Sequence, residues 1–417
     1  MIHQAIIEQI MTTLYILLVL LIVTRLSGEI SERLGQPALL GELVSGICLG
    51  LIVHQQAEVF PVLAGLTTDP VFKSITDLGI FFLMLLGGIE LQPAKLLKAS
   101  KSALVVAVGG MIFPLVLGMI FGYLILPESE LRAAQTLFLG TVMAVTAVPV
   151  SVKALMDLGK LDTKVGQTII SAAVIDDVLS LILLAVLTSF LATGSVPGLI
   201  SLLLIMGKVI LFFVIAGLLG GYLFPAIGKL ILKSRSEEFQ FSSLLIGALA
   251  YAMLAEVLGM HFILGAFLAG LFFRRRTISP EIYEDILSKT KGLTTGFFAP
   301  IFFASIGMHI DLNSIVEIPG FVLLLIAVAT IGKLFGAGIS ARLTGMSNME
   351  SFAVGIGMNA RGAVELVIAD IALRAGIFEV QAPVPPVIDY MFSAIVVMAI
   401  VTTLMTPPAL KIALKKH

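Results

Sequence analysis

Asp176 and Asp177 stand side by side in an apolar stretch, residues 165–191, that carries no other ionisable group. A charge at bilayer depth costs about 2.5–3.5 kcal/mol on insertion scales, and neighbouring carboxylates repel each other. Such a pair persists where protons or cations neutralise it, so the chemistry it suggests is reversible binding of a small positive ion. Thr146 precedes Pro149 by three residues in AVTAVPVSVKAL. Proline lacks an amide N–H and its ring disturbs the turn before it. The Thr146 hydroxyl and the carbonyls freed near Val145 are hard oxygens that suit a small monovalent cation, a simple proline kink being the alternative. Lys333 lies at the middle of FVLLLIAVATIGKLFGAGISARL, too deep to snorkel, and therefore needs an anion. Asp176 or Asp177 is the candidate, and a lysine on a carboxylate that also takes protons or a cation becomes a competitor for that site. Arg361 and Glu365 are four apart in GIGMNARGAVELVIAD. That spacing puts them on one helical face, as a structural ion pair rather than as direct ion ligands. Gly355, Gly357 and Gly362 loosen the same helix. Lys208 has no such context and reads as packing or snorkelling.

The elements that hold these residues must be transmembrane helices. Hydrophobic residues make up 58% of the 417 and charged residues 13%, against about 25% charged in soluble domains. Thirteen apolar segments follow one another, at 8–26, 37–55, 72–91, 102–126, 132–156, 163–193, 198–232, 238–258, 260–274, 292–310, 317–344, 351–375 and 384–413. Most are long enough to cross roughly 30 Å of hydrocarbon as helix. With this count, twenty of the 26 Lys and Arg fall on one side, which predicts a cytoplasmic C-terminus and an N-terminus outside. The first segment reads as a retained span, because no small-residue cleavage site precedes Arg25 and Glu29. The single cysteine, Cys48, excludes an intramolecular disulfide and is expected to pack as a small hydrophobe. A net charge of −1 gives no sign of a nucleic-acid partner.

The segments repeat. GQPALLGELVSGIC from Gly35 returns as GMHFILGAFLAGLF from Gly259 at an offset of 224, and IFFLMLLGGIEL from Ile80 returns as IFFASIGMHIDL from Ile301 at 221. Spans 1 to 6 therefore correspond to 8 to 13, with the seventh as linker. An odd linker span turns the second half over, the inverted-repeat plan in which ion sites lie near the midplane on broken helices.

QPALLGELVSGICLG, FFLMLLGGIEL, TAVPVSV, AVIDDVLS, GMHFILGAFLAGL, the GK at Lys333 and NARGAVE, in this order over nearly the whole chain, resemble the monovalent cation/proton antiporters of bacteria in the branch with paired aspartates. The resemblance implies an all-α polytopic fold with a dimerisation domain and a six-helix core of spans 4, 5, 6, 11, 12 and 13, where two broken helices cross. Segment boundaries follow: 1–97 scaffold, 98–194 core with the aspartate pair, 195–235 linker, 236–312 second scaffold and 313–417 second core. By the same resemblance Asp177 is the principal carboxylate for the transported alkali cation and the proton, Asp176 its companion, Lys333 the competing amine and Thr146 a ligand at the crossing. A homodimer in the inner membrane and an elevator-like core movement are also implied. Two positions depart from the family pattern. Val148 and Pro149 stand where related chains often carry hydroxyls, and Glu365 comes later after the arginine than expected.

The expected activity is exchange of sodium, or lithium, for protons, electrogenic and driven by competition at the aspartates. The alternatives are a potassium/proton antiporter, a sodium-coupled solute symporter of the same plan, and a channel or sensor, which flux saturation and gradient coupling would separate. A nucleotide-gated potassium-efflux system is not expected, since no such domain follows His417. Enzymatic chemistry is not expected either: the sequence has no nucleophile constellation, no phosphate loop and no His/Cys cluster for a metal or cofactor.

Overall fold

The computed structural model describes residues 2–55, 63, 65–66, 69–90, 101–193, 199–233, 236–258, 260–273, 278–380 and 383–414. Gly259 of the repeat lies outside the described residues, as do Lys95, Lys98, Arg235, Arg274, Arg275, Arg276, Lys415 and Lys416, eight of the twenty basic residues on the more basic side, and the boundaries at 97, 194 and 235.

Every regular element among the described residues is helical, as a chain in hydrocarbon requires, because a helix satisfies its own backbone groups. In chain order the first half gives α1 (Ile2–Arg33), α2 (Ala38–Gln55), α3 (Pro70–Glu90), α4 (Lys101–Ile125), α5 (Arg132–Ala144), α6 (Val148–Asp157) and α7 (Lys164–Thr193). Then come α8 (Leu199–Lys233), α9 (Glu237–Val257), α10 (Phe262–Phe272), α11 (Pro280–Leu293) and, after a π turn at Thr294–Phe298, α12 (Ala299–Met308). The last stretch holds α13 (Asn313–Glu317), α14 (Pro319–Leu343), α15 (Asn348–Gly357), α16 (Ala363–Arg374), α17 (Pro386–Asp389) and α18 (Met391–Leu414).

Seven of the described helices are long and apolar enough to cross a membrane. The other six of the thirteen expected spans are three shorter apolar helices, two broken pairs (α5 with α6, α15 with α16) and the π-interrupted α11–α12. Cys48 departs from expectation: it is exposed on an outward face of α2 instead of packed.

Contacts divide the chain into two compact units, one of residues 1–92 and 210–310, the other of residues 93–209 and 311–417. The first unit carries the repeat in its packing. Gly41 of α2 lies against the Ser27 carbonyl of α1, and Gly265 of α10 lies against the Tyr251 carbonyl of α9; a Cβ at either glycine would fall 2.1 Å from that oxygen. Gly46 of α2 meets Ala304 of α12 as Gly270 of α10 meets Leu85 of α3. Gly307 of α12 likewise meets Leu43 as Gly88 of α3 meets Phe267. The partners exchange, α2 with α12 and α10 with α3, as in a two-fold relation between repeats. These contacts put α3 and α12 in register at 219 (Gly88 to Gly307), two residues short of the offset read from Ile-Phe-Phe. A glycine under a backbone carbonyl is fixed by sterics, whereas apolar letters recur without sharing a contact. Glu42, buried in α2, pairs with Arg25 at 3.2 Å, and Arg25 also donates to Thr295 O of the π turn at 3.2 Å.

The second unit is a bundle in which α4 packs on α14 and α5, and α14 on α15. Small residues allow the approach: Gly109 sits on Gly336 and Ser340, Gly332 on Pro114, and Gly118 on Gly140. Its buried apolar cluster includes Val106, Ala107, Leu155, Ile169, Ala173, Ala337, Val354 and Leu410. At its ends, Thr163 Oγ1 accepts from Gly166 N at 3.1 Å to start α7, and Ser347 with Glu350 forms a capping box on α15. Gly345 (φ +87°), after α14, takes a left-handed turn that favours glycine.

Candidate functional site

Two helices of the second unit stop inside it. α5 ends at Ala144, and Val145 is extended (φ −74°, ψ 150°) before α6 begins at Val148. Pro149 stands in the first turn of α6, where its missing N–H leaves no helical bond unmade. α15 ends at Gly357, and α16 begins at Ala363. The two breaks touch: Ala147 N donates to Ala360 O at 2.7 Å, and a Cβ at Gly362 would lie 2.7 Å from the Ala147 side chain.

The last carbonyls of α5 have no helical partner and carry the negative end of its dipole. Two cations occupy them. Arg361, between α15 and α16, donates through Nη1 to Val142 O and through Nη2 to Met143 O at 3.0 Å. Lys333, from the middle of α14, donates to Ala144 O and, at 2.7 Å, to Thr146 Oγ1. The carbonyls read from sequence as free ion ligands thus hold basic side chains in this structure.

Lys333 Nζ also lies 3.7 Å from Asp176 Oδ2 of α7, and both side chains are fully buried. Neither Asp176 oxygen accepts a hydrogen bond among the described residues, so the ammonium charge is what opposes it there. Asp177 is only partly buried. Arg361 Nη1 approaches Glu365 Oε2 to 3.8 Å, again with both fully buried. Glu365 falls in the first turn of α16, where the dipole favours an anion. At the crossing, Asp176 thus faces Lys333 and Glu365 faces Arg361, with Asp177 one residue along α7 from the first pair.

Asp176, Lys333, Thr146, Arg361 and Glu365 come together around the crossing. Asp177 is one residue along α7 from Asp176 and less deeply buried. Lys208, set aside in the sequence analysis, is exposed on α8.

Sequence reading missed two polar residues, Thr403 and Ser151, and gave a third, Asn359 on the predicted helix of Arg361 and Glu365, no role. Thr403 of α18 donates to Arg361 O at 2.6 Å and accepts from Arg361 N at 3.3 Å, holding the break's backbone at both ends of one residue. Ser151 of α6 donates to Gly357 O at the end of α15. Asn359 is buried beside the crossing, and its side-chain oxygen accepts no hydrogen bond. The signal for Thr403 was the run TTLMTPP inside an apolar span. For Ser151 and Asn359 it was a polar side chain next to a predicted break.

A family model described as "Sodium/hydrogen exchanger, transmembrane" matches residues 16–416. The Na(+)/H(+)-K(+) antiporter GerN of Bacillus cereus is 35% identical over 94% of this chain and 94% of its own length. The Na(+)/H(+) antiporter of Enterococcus hirae is 30% identical over 96% and 98%. The solved structure of the sodium proton antiporter MjNhaP1 from Methanocaldococcus jannaschii aligns with a TM-score of 0.71 over 97% of this chain and 96% of that one, at 18% identity, a likeness of fold. Matched over residues 16–416 by the family model and over more than nine-tenths of its length by relatives at this identity, the chain belongs to the sodium/hydrogen exchanger family of membrane cation/proton antiporters.

Proposed function

We propose that this chain exchanges sodium, with lithium as a related passenger, for protons, and that the exchange is electrogenic. The observation that carries the reading is Lys333: a fully buried ammonium 3.7 Å from Asp176 and bonded to Thr146. A cation that takes Asp176 must displace a positive partner already there, and protons compete for the same oxygens. Asp177 is the principal carrier carboxylate, with Asp176 and Thr146 as companions at the transported metal ion. Arg361 and Glu365 hold the crossing in shape.

Residues 98–194 and 313–417 act as the moving core. Residues 1–97 and 236–312 act as the dimerisation scaffold of a homodimer, with 195–235 as linker. The protein sits in the plasma (inner) membrane with its N-terminus outside and its C-terminus in the cytoplasm. A potassium/proton reading draws its support from GerN, whose name includes potassium.

The test is purified protein in liposomes with an internal pH dye, challenged with sodium, lithium and potassium in turn. Sodium should drive proton movement in wild type and not in Asp177→Asn or in protein-free liposomes. Full exchange by Asp177→Asn would remove the assigned carrier, and potassium as the sole driving ion would select the second reading.

A further inference from the structure

The two helix ends at the crossing are not equally occupied. At the end of α5, the carbonyls of Val142, Met143 and Ala144 all accept from Arg361 or Lys333. At the end of α15, among the described residues, no basic side chain arrives. Met358 N and Asn359 N turn back to Val354 O and Ile356 O at 3.0 Å each, and the Ser151 hydroxyl alone reaches Gly357 O. Among the described residues, the negative end of this second helix therefore meets a hydroxyl and no charged partner.

Asn359 follows that end directly. It is 5% exposed, and its Oδ1 accepts no hydrogen bond. An amide oxygen buried without a donor costs about 1–3 kcal/mol, so its retention calls for an occupant. The occupant must accept electron density from a neutral oxygen. Asn359 and Thr146 are the chain neighbours of Ala360 and Ala147, the residues that bond across the crossing at 2.7 Å. Thr146 in turn shares Lys333 with Asp176.

We propose that Asn359 Oδ1, at the uncompensated end of α15, is a ligand of the transported monovalent cation, and that it thereby tunes which alkali ion the site takes. The proposal rests on the exchange reading above and names a residue that reading does not use. Its chemistry is that of the site: a dehydrated alkali ion needs several hard oxygens, and the end of a half-helix with a neutral side-chain oxygen adds them without adding charge. Number and field strength of oxygens decide between alkali ions, so a neutral oxygen at this place affects sodium, lithium and potassium unequally.

The experiment uses the full chain in liposomes with an internal pH dye, titrated with each of the three cations for wild type, Asn359→Ala and Asn359→Asp. The alanine variant should raise the half-saturating concentration of the preferred cation about tenfold and change its ratio to the other two. The aspartate variant, which keeps the oxygen and adds charge, should lower that concentration. Wild-type values for all three cations in Asn359→Ala would overturn the assignment, as would an equal rise for all three together with no fall in Asn359→Asp. If the alanine variant fails to insert, Asn359→Asp alone decides, and an unchanged half-saturating concentration overturns the proposal. Wild type without any cation-driven proton movement would instead overturn the exchange reading itself.

Discussion

Removing one partner of a buried ion pair strands the other, and Arg361 shows how much hangs on a single side chain here. Its guanidinium neutralises Glu365, caps two carbonyls of α5 and is itself held by Thr403. Arg361→Met should cost about 3–5 kcal/mol of stability, as expected for an uncompensated buried charge. Pairing it with Glu365→Gln should recover part of that loss, which thermal unfolding in detergent would measure; additive costs would mean the two do not interact. Lys333→Gln removes the ammonium 3.7 Å from Asp176; under the proposed competition it should tighten apparent cation affinity, flatten the pH dependence and reduce the current per ion exchanged, as electrophysiology on solid-supported membranes would record. An unchanged current would exclude Lys333 from the charge balance. Asp176, Lys333 and Thr146 were legible in the sequence because charge and hydroxyls in an apolar run have few explanations. Thr403 and Ser151 were not, because a hydroxyl on a helix satisfies itself on its own backbone by default, and nothing in the letters says which one reaches across.

Helix boundaries followed apolar runs closely, and the exceptions follow one rule. Hydropathy puts the tenth span at 292–310, yet its helix starts at Pro280, because α11 (PEIYEDILSKTKGL) carries charges that hydropathy reads as a loop. Both breaks fell where proline or clustered glycine had pointed. The repeat register was the weaker part: glycines seated under carbonyls fix it, and a sequence shows glycines without showing what lies above them. Those seats give a test. Gly88→Val and Gly307→Val each push a side chain into a facing backbone, at Phe267 and at Leu43. Each should cost about 1–3 kcal/mol or more by overpacking. Similar falls in thermal midpoint are expected, since the two sites are equivalent; a tolerated valine at one of them would break the equivalence.

At the scale of the molecule, the uneven placement of Lys and Arg gave an orientation, and the lone cysteine makes it testable. Cys48→Ser yields a cysteine-free chain at an exposed position. Single cysteines then placed near residue 2 and near residue 414 should react with a membrane-impermeant maleimide from opposite faces of sealed cells, the former from outside. Labelling of both from one face would contradict an odd number of spans. Each of the two units is assembled from separate stretches of chain, and no linker composition marks the joins. The exchanged packing of the first unit also bears on how the chain is made. α2 rests on α12 and α3 on α10, so neither early hairpin finds its seat until some two hundred more residues have left the ribosome. Until then the nascent N-terminal half waits in lipid half-assembled, and biogenesis of the protein is committed to a late, post-insertional closing step.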